Sequence, residues 1–133
     1  MKELLSLLPR PSHYIGTEEG SVHKEPASVR LHCALAFPDL YEVGMSYLGH
    51  KILYTILNNR YAPCRETGRL LREHGVNLAT LESDTDIVKT HMFAFAITHE
   101  LCFTNVLYML ELSGIPLRAA DRGDDLFRWP LIV

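Results

Sequence analysis

The feature that most constrains the fold is the ten-residue connection 37–46, which joins an apolar run to an amphipathic stretch. The run Leu31–Phe37 ends at Pro38 and is typical of a strand that is covered on both faces. In the stretch Met45–Leu57, apolar residues recur at spacings of three and four, which predicts a helix. Ligands of open α/β sheets bind where a strand ends and a helix begins, so we expect any functional site here.

Strand and helix patterns continue to alternate along the chain. Glu66–His74 predicts a short helix that ends at Gly75, and Leu101–Leu112 predicts a buried helix with Leu101, Leu107, Leu110 and Leu112 in the core. Residues 76–81, 92–97, 115–119 and 130–133 are predicted as extended segments, and 121–125 as a loop. This order predicts an α/β fold, a mainly parallel Rossmann-like sheet with helices on both faces.

The two ends of the chain differ from its centre. Residues 1–28 contain three prolines, two glycines and no sustained period, which predicts an irregular N-terminal arm outside the sheet of a domain formed by 29–133. Pro130–Val133 has the composition of a buried strand that no turn or helix follows. We therefore expect the natural protein to continue beyond Val133. An unpaired strand edge would then allow a homodimer of the fragment.

Composition excludes several classes of function. With 133 residues, 47% of them hydrophobic and 22% charged, the chain suits one globular domain. Its net charge of −3 and the lack of a basic block argue against nucleic-acid binding, and no apolar run approaches the ~20 residues that span a bilayer. We predict a cytoplasmic protein with no membrane partner.

No metal site is predicted from the sequence. Cys33, Cys64 and Cys102 are odd in number and form no CxxC or CxxxCxxC set, which favours reduced thiols, with Cys33 and Cys102 as small core residues. His99-Glu100 is not a HExxH zinc motif, because Phe103 stands where the second histidine would be. No Ser-His-Asp set is present, and no catalytic residue is predicted.

Candidate binding residues follow from the topology. The carboxyl ends of parallel strands point the same way, so residues 38–46, 82–84, 98–105 and 120–122 are expected to line one rim. The polar residues and the glycine that we select there are Asp39, Tyr41, Glu42, Gly44, Ser46, Glu82, Ser83, Glu100, Thr104 and Asn105. Most also have a structural interpretation: the glycine allows close packing, Asp39, Tyr41 and Glu42 cap a helix or contact the arm, and Ser46, Thr104 and Asn105 satisfy backbone groups near helix ends.

Several blocks resemble the opening of a family of radical S-adenosylmethionine (SAM) proteins. They are LLPRPSHYIGTEEGSVHKE, LAFPDLYEVGMSYLGHKILYTILN, LATLES, HELCFTNVLYMLELSGIPLRAADRG and PLIV, in this order. Members carry a cobalamin-binding-like Rossmann domain in front of the radical SAM barrel. The resemblance implies a non-catalytic accessory domain that binds a cofactor or substrate and has the barrel of the same full-length chain as its partner. The 4Fe-4S cluster, its CxxxCxxC motif and SAM would belong to the part beyond Val133.

The chain also departs from the family pattern. Arginine is usual where His13 stands, glycine and serine where Ala94 and Ala96 stand, and the region of Tyr61–Cys64 is shorter here. The DxHxxG motif that supplies an axial histidine in many cobalamin proteins is missing, so cobalamin would bind without that ligand. Two alternatives therefore stay open: a docking module that has lost cobalamin binding, and a stand-alone small-molecule-binding α/β domain.

Overall fold

A three-stranded parallel sheet forms the centre of the fold. The computed structural model describes residues 2–8, 10–57, 71–81, 83–123 and 128–133. Strands β1 (Cys33–Ala36), β2 (Met92–Phe95) and β3 (Leu131–Ile132) lie in the order β1-β2-β3. Ala36 lies opposite Phe95, and Met92 lies opposite Leu131. The α/β class with a parallel sheet is confirmed.

Helices occupy the connections between the strands. Their bounds are Tyr41–Ser46 (α1), Leu48–Leu57 (α2), Cys102–Leu112 (α3) and Ala119–Arg122 (α4), and residues 71–74 are also helical. Sequence periodicity predicts one helix over 45–57. The structure instead has two helices, because Tyr47 is extended, with φ −76° and ψ 110°, and interrupts the helical path. In the described part of the chain no helix is long and apolar enough to cross a membrane.

Both faces of the sheet are covered. Ala34, Ala36 and Phe93 belong to a buried cluster that includes Met109 and Leu112 of α3. Side chains alternate along a strand, so Cys33 and Leu35 point to the opposite face, where they are also buried. Phe37 follows them and contacts Tyr47 and His50 of the α1–α2 region, with ring centroids 5.2 and 5.5 Å apart.

Two predicted extended segments are wrong. Over 76–81 the structure has only an isolated antiparallel bridge between Ala79 and Asp86, and the amide of Leu78 donates to the carbonyl oxygen of Leu112 at 3.1 Å. This segment is buried by packing near the end of α3 and not by joining the sheet. Over 115–119 no strand forms, and 119–122, placed partly in a loop by the sequence, is the short helix α4. Residues 124–127 of the predicted loop lie outside the described residues.

Predicted burial is wrong at four apolar positions. On α3, Leu110 and Leu112 are buried as predicted, but Leu107 is 48% exposed, and Leu101, just before the helix, is 79% exposed. In the last strand region, Leu131 and Val133 are exposed, because β3 is short and forms an edge of the sheet. Apolar composition identified both elements, but it did not reveal which of their side chains stay exposed among the described residues.

The N-terminal arm is tied to the domain by apolar and polar contacts. It contains short 3-10 helices at Lys2–Leu7, Pro11–Tyr14 and Pro26–Ser28, and Leu4, Leu8 and Tyr14 join the core cluster. The Val22 amide donates to the hydroxyl oxygen of Tyr54 at 2.6 Å. The arm thus packs outside the sheet, and its boundary at residue 28 stays a prediction.

Candidate functional site

The rim lies where the chain leaves β1 and β2. Asp39 comes three residues after Ala36 and His99 four residues after Phe95, and those two strand residues are paired. The Asn105 side-chain amide of α3 donates to the carbonyl oxygen of Pro38 at 2.8 Å. This bond joins the first turns of α3 to the exit from β1, so the parallel register and one amide bring three separate segments together.

Asp39, His99 and Cys102, here called the rim triad, meet at this point. His99 Nε2 lies 3.1 Å from Asp39 Oδ2, while Asp39 Oδ1 accepts a 2.7 Å hydrogen bond from the Leu40 amide. Cys102 Sγ lies 3.5 Å from His99 Nε2 and 3.6 Å from Nδ1. The side chains of Asp39 and His99 are 24% and 44% exposed, and Cys102 is buried. A carboxylate, an imidazole and a thiol thus adjoin at a partly open edge.

Two of the predicted site residues on α1 contact the arm. Tyr41 donates its hydroxyl to Glu18 Oε1 at 2.9 Å and stacks on His13 with ring centroids 4.0 Å apart. Glu42 forms an ion pair with Arg10. Beside them is a polar cavity of about 340 Å³, lined by Glu18, Glu19, Tyr41, Met45 and Lys51. On this side the described polar groups hold the arm in place.

Gly44 and Ser46 have internal roles in α1. A β-carbon added at Gly44 would lie 3.3 Å from Phe37 Cδ1, so the glycine allows close packing of α1 on the strand end. The Ser46 hydroxyl donates to the carbonyl oxygen of Val43 at 3.0 Å, one helical turn back. The first observation matches the packing interpretation of Gly44, whereas Ser46 bonds back along its own helix and does not cap the start of α1.

The remaining candidates divide between the rim and a separate turn. Glu100 and Thr104 are exposed at the start of α3, where Thr104 donates to the carbonyl oxygen of Leu101 at 3.1 Å. Ser83 bonds within its own turn, 2.6 Å from Thr80 Oγ1 and 2.9 Å from Thr85 Oγ1. That turn follows Leu78, which is bonded to the opposite end of α3. Glu82 lies outside the described residues.

The comparison with protein families decides the family of this chain. Residues 49–133 match the family described as "Radical SAM proteins, N-terminal", and this match covers more than half of the 133 residues. The chain belongs to this family. Searches of curated proteins and of solved structures found no match. The α/β fold described above is therefore that of a radical SAM N-terminal domain.

Two members of the rim triad were not among the predicted site residues of this radical SAM N-terminal domain. His99 and Cys102 form a His-x-x-Cys spacing where β2 leads into α3, and this spacing is a readable signal. Asp39 lies 60 residues away in sequence from His99. The predicted topology placed 38–46 and 98–105 on one rim, but the contact between these three side chains appears only in the structure, where β1 pairs with β2.

Proposed function

We propose that this radical SAM N-terminal domain is a non-catalytic accessory domain whose rim faces the radical SAM barrel of the same full-length chain. A cofactor or substrate would be held between the two. The 4Fe-4S cluster and SAM supply radical chemistry in the barrel, and we assign no reaction step to residues of this chain.

The observation that carries the proposal is the exposed apolar surface at the rim. Leu40 precedes α1 and is 59% exposed, and Leu101 and Phe103 at the start of α3 are 79% and 56% exposed. The bonds from Asn105 to Pro38 and from His99 to Asp39 hold these segments side by side. A contiguous patch of exposed apolar groups that is bordered by polar residues marks an interaction surface. The family match supports the barrel as the partner.

The contacts of α1 support packing roles for its residues more than a cobalamin cradle. The space beside Gly44 is filled by Phe37, and the Ser46 hydroxyl is bonded to its own helix. Asp39 is followed by Leu40 and Tyr41, which is not the DxHxxG pattern. A ligand at the rim would instead meet Glu100 and Thr104, which are exposed on the α3 side.

This arrangement favours a second candidate function, a docking module that has lost cobalamin binding. Titration of the full-length protein with hydroxocobalamin, followed by difference absorbance, separates the two. Cofactor binding predicts a saturable spectral change that Thr104→Trp removes. The matched control is Thr55→Trp, because Thr55 is also exposed on a helix and bonds a backbone carbonyl of its own helix, that of Lys51. If no saturable change occurs, the docking function is the one supported.

Docking itself is tested by amide hydrogen exchange in the full-length protein and in the 133-residue chain. We expect slower exchange over 97–105 in the full-length protein, and Leu101→Asp should remove most of that difference. Ile52→Asp is the control, since Ile52 is also an exposed apolar residue, 52% exposed, but lies on α2 and outside 97–105. Equal exchange of 97–105 in the two proteins would refute docking through the rim.

A further inference from the structure

We propose that the rim triad binds one divalent transition-metal ion of the zinc type. The three ligand atoms, Asp39 Oδ, His99 Nε2 and Cys102 Sγ, lie within 4.8 Å of one another. They come from the exit of β1, the exit of β2 and the first residue of α3. The inference concerns this chain alone and does not depend on docking to the barrel.

Two of the three distances between the ligand atoms suit tetrahedral coordination. With metal–nitrogen and metal–oxygen bonds of about 2.1 Å and a metal–sulfur bond of about 2.3 Å, a tetrahedron places nitrogen and oxygen about 3.4 Å apart, and nitrogen and sulfur about 3.6 Å apart. The corresponding distances from His99 Nε2 are 3.1 Å to Asp39 Oδ2 and 3.5 Å to Cys102 Sγ. Both edges lie within about 0.3 Å of that geometry. Cys102 Sγ also lies 3.6 Å from His99 Nδ1, so the imidazole ring must turn to direct its Nε2 lone pair toward an ion shared with the thiolate.

The chemistry of the ligands indicates the class of metal. Thiolate and imidazole favour zinc and related transition metals, whereas Mg²⁺ and Ca²⁺ prefer all-oxygen sites. Three protein ligands leave a fourth position open, as in sites where zinc holds water or an added ligand.

The surroundings already position two of the ligands. Asp39 Oδ1 accepts from the Leu40 amide, which leaves Oδ2 directed toward His99. Cys102 is fixed by its place in the first turn of α3, which the Asn105–Pro38 hydrogen bond holds against the β1 exit. Such supporting bonds orient metal ligands and raise affinity.

The test is titration of the metal-free 133-residue chain with Co²⁺, a spectroscopic substitute for Zn²⁺, followed by competition with Zn²⁺. We expect one Co²⁺ per chain, with visible bands of tetrahedral cobalt and a thiolate-to-cobalt charge-transfer band that Zn²⁺ removes. Cys102→Ser should abolish the charge-transfer band. Asp39→Asn and His99→Gln should each weaken binding at least tenfold.

Cys33→Ala is the matched control, because Cys33 is also a buried free thiol but lies in β1. It should leave the cobalt spectrum unchanged. Urea unfolding of each variant establishes that it is folded, and His99→Gln keeps the test decisive if Cys102→Ser does not fold, since His99 is exposed. Equal Co²⁺ binding by wild type and His99→Gln, or no charge-transfer band in wild type, would overturn the proposal and leave the triad as a hydrogen-bonded tie between loops.

Discussion

The hydrogen bond from Asn105 to Pro38 makes the most direct prediction about how the rim is held together. Its donor–acceptor distance is 2.8 Å, it is partly buried, and Pro38 is itself buried. Asn105→Ala removes the donor and leaves the Pro38 carbonyl without that partner. A lost hydrogen bond with a partly buried acceptor costs about 1–2 kcal/mol. For a chain of this length such a loss lowers the melting temperature by roughly 3–6 °C.

Asn105→Asp should be worse at neutral pH, although it is nearly isosteric. The carboxylate cannot donate, and it would face the carbonyl oxygen of Pro38, the residue that precedes Asp39. The dipole of α3 favours a negative charge near the start of the helix by about 0.5 kcal/mol, which is less than the cost of the lost hydrogen bond. We expect a total cost of about 2–3 kcal/mol in the free energy of unfolding.

The cost of Asn105→Asp should depend on pH in a defined direction. Only the protonated acid can donate to Pro38, so the folded state raises the pKa of the introduced carboxyl above its unfolded value. The free energy of unfolding of Asn105→Asp is therefore only slightly below that of wild type at pH values below the unfolded pKa, and the difference grows as pH rises through the folded pKa. Urea unfolding of both proteins at several pH values measures it.

Thr104→Ala provides the control for this series. Its hydroxyl is exposed and bonds only the carbonyl of Leu101 among the described contacts, so its loss should stay within about 0.5 kcal/mol. If Asn105→Asp were as stable as Thr104→Ala at neutral pH, the bond to Pro38 would not hold α3 against β1, and our account of the rim would be wrong.

Three further predictions concern the core, a thiol and the arm. Phe93→Ala should lower the free energy of unfolding by about 3–5 kcal/mol in urea, because the ring is fully buried in the central strand. Burial raises the pKa of the Cys33 thiol, so iodoacetamide should label Cys33 more slowly in the folded chain than in the urea-unfolded chain at mildly alkaline pH. Because its folded pKa is the higher one, the Cys33 thiol contributes to the free energy of unfolding below its unfolded pKa, and this contribution is lost as pH rises through the folded pKa. Tyr54→Phe removes the acceptor of the Val22 amide and should speed hydrogen exchange at Val22.

Each of these has an outcome that contradicts it. If the free energy of unfolding of Phe93→Ala were within about 1 kcal/mol of the wild-type value, the Phe93 ring would not be central to the core. Equal labelling of Cys33 in the two states would contradict its burial. Unchanged exchange at Val22 would show that the Tyr54 hydroxyl does not fix the arm.

Sequence patterns predicted the elements that form the sheet because those elements are short apolar runs with clear ends. The runs around Cys33–Ala36 and Met92–Phe95 became β1 and β2. Residues 76–81 carry a similar pattern, yet Leu78 bonds to Leu112 and the segment stays outside the sheet. An apolar run reports that a segment is buried, but its hydrogen-bonding partner is decided by contacts distant in sequence.

At the rim, too, local sequence patterns predict part of the arrangement, and contacts between distant segments decide the rest. Asn105 and Asp39 were predicted to lie near one another from topology, and the structure joins them through Pro38 and the parallel register. The roles of Gly44 and Tyr41 were left open, because a glycine can allow packing or ligand approach, and a tyrosine can bind an arm or a cofactor. In the structure Phe37 lies beside Gly44 and Glu18 accepts from the Tyr41 hydroxyl, and neither contact can be inferred from local spacing.

The difference between the predicted burial and the observed exposure of leucines at α3 has a physical meaning. A helix that is apolar nearly all round is usually buried on most sides, whereas a surface helix keeps a polar face. Here Leu110 and Leu112 are buried, and Leu101, Phe103 and Leu107 are exposed. Leaving such side chains in water forgoes about 25 cal/mol for each Å² of apolar surface that a cover would bury. The pattern of α3 therefore suits a further layer over its exposed side, and this is the side that the proposed docking to the barrel would cover.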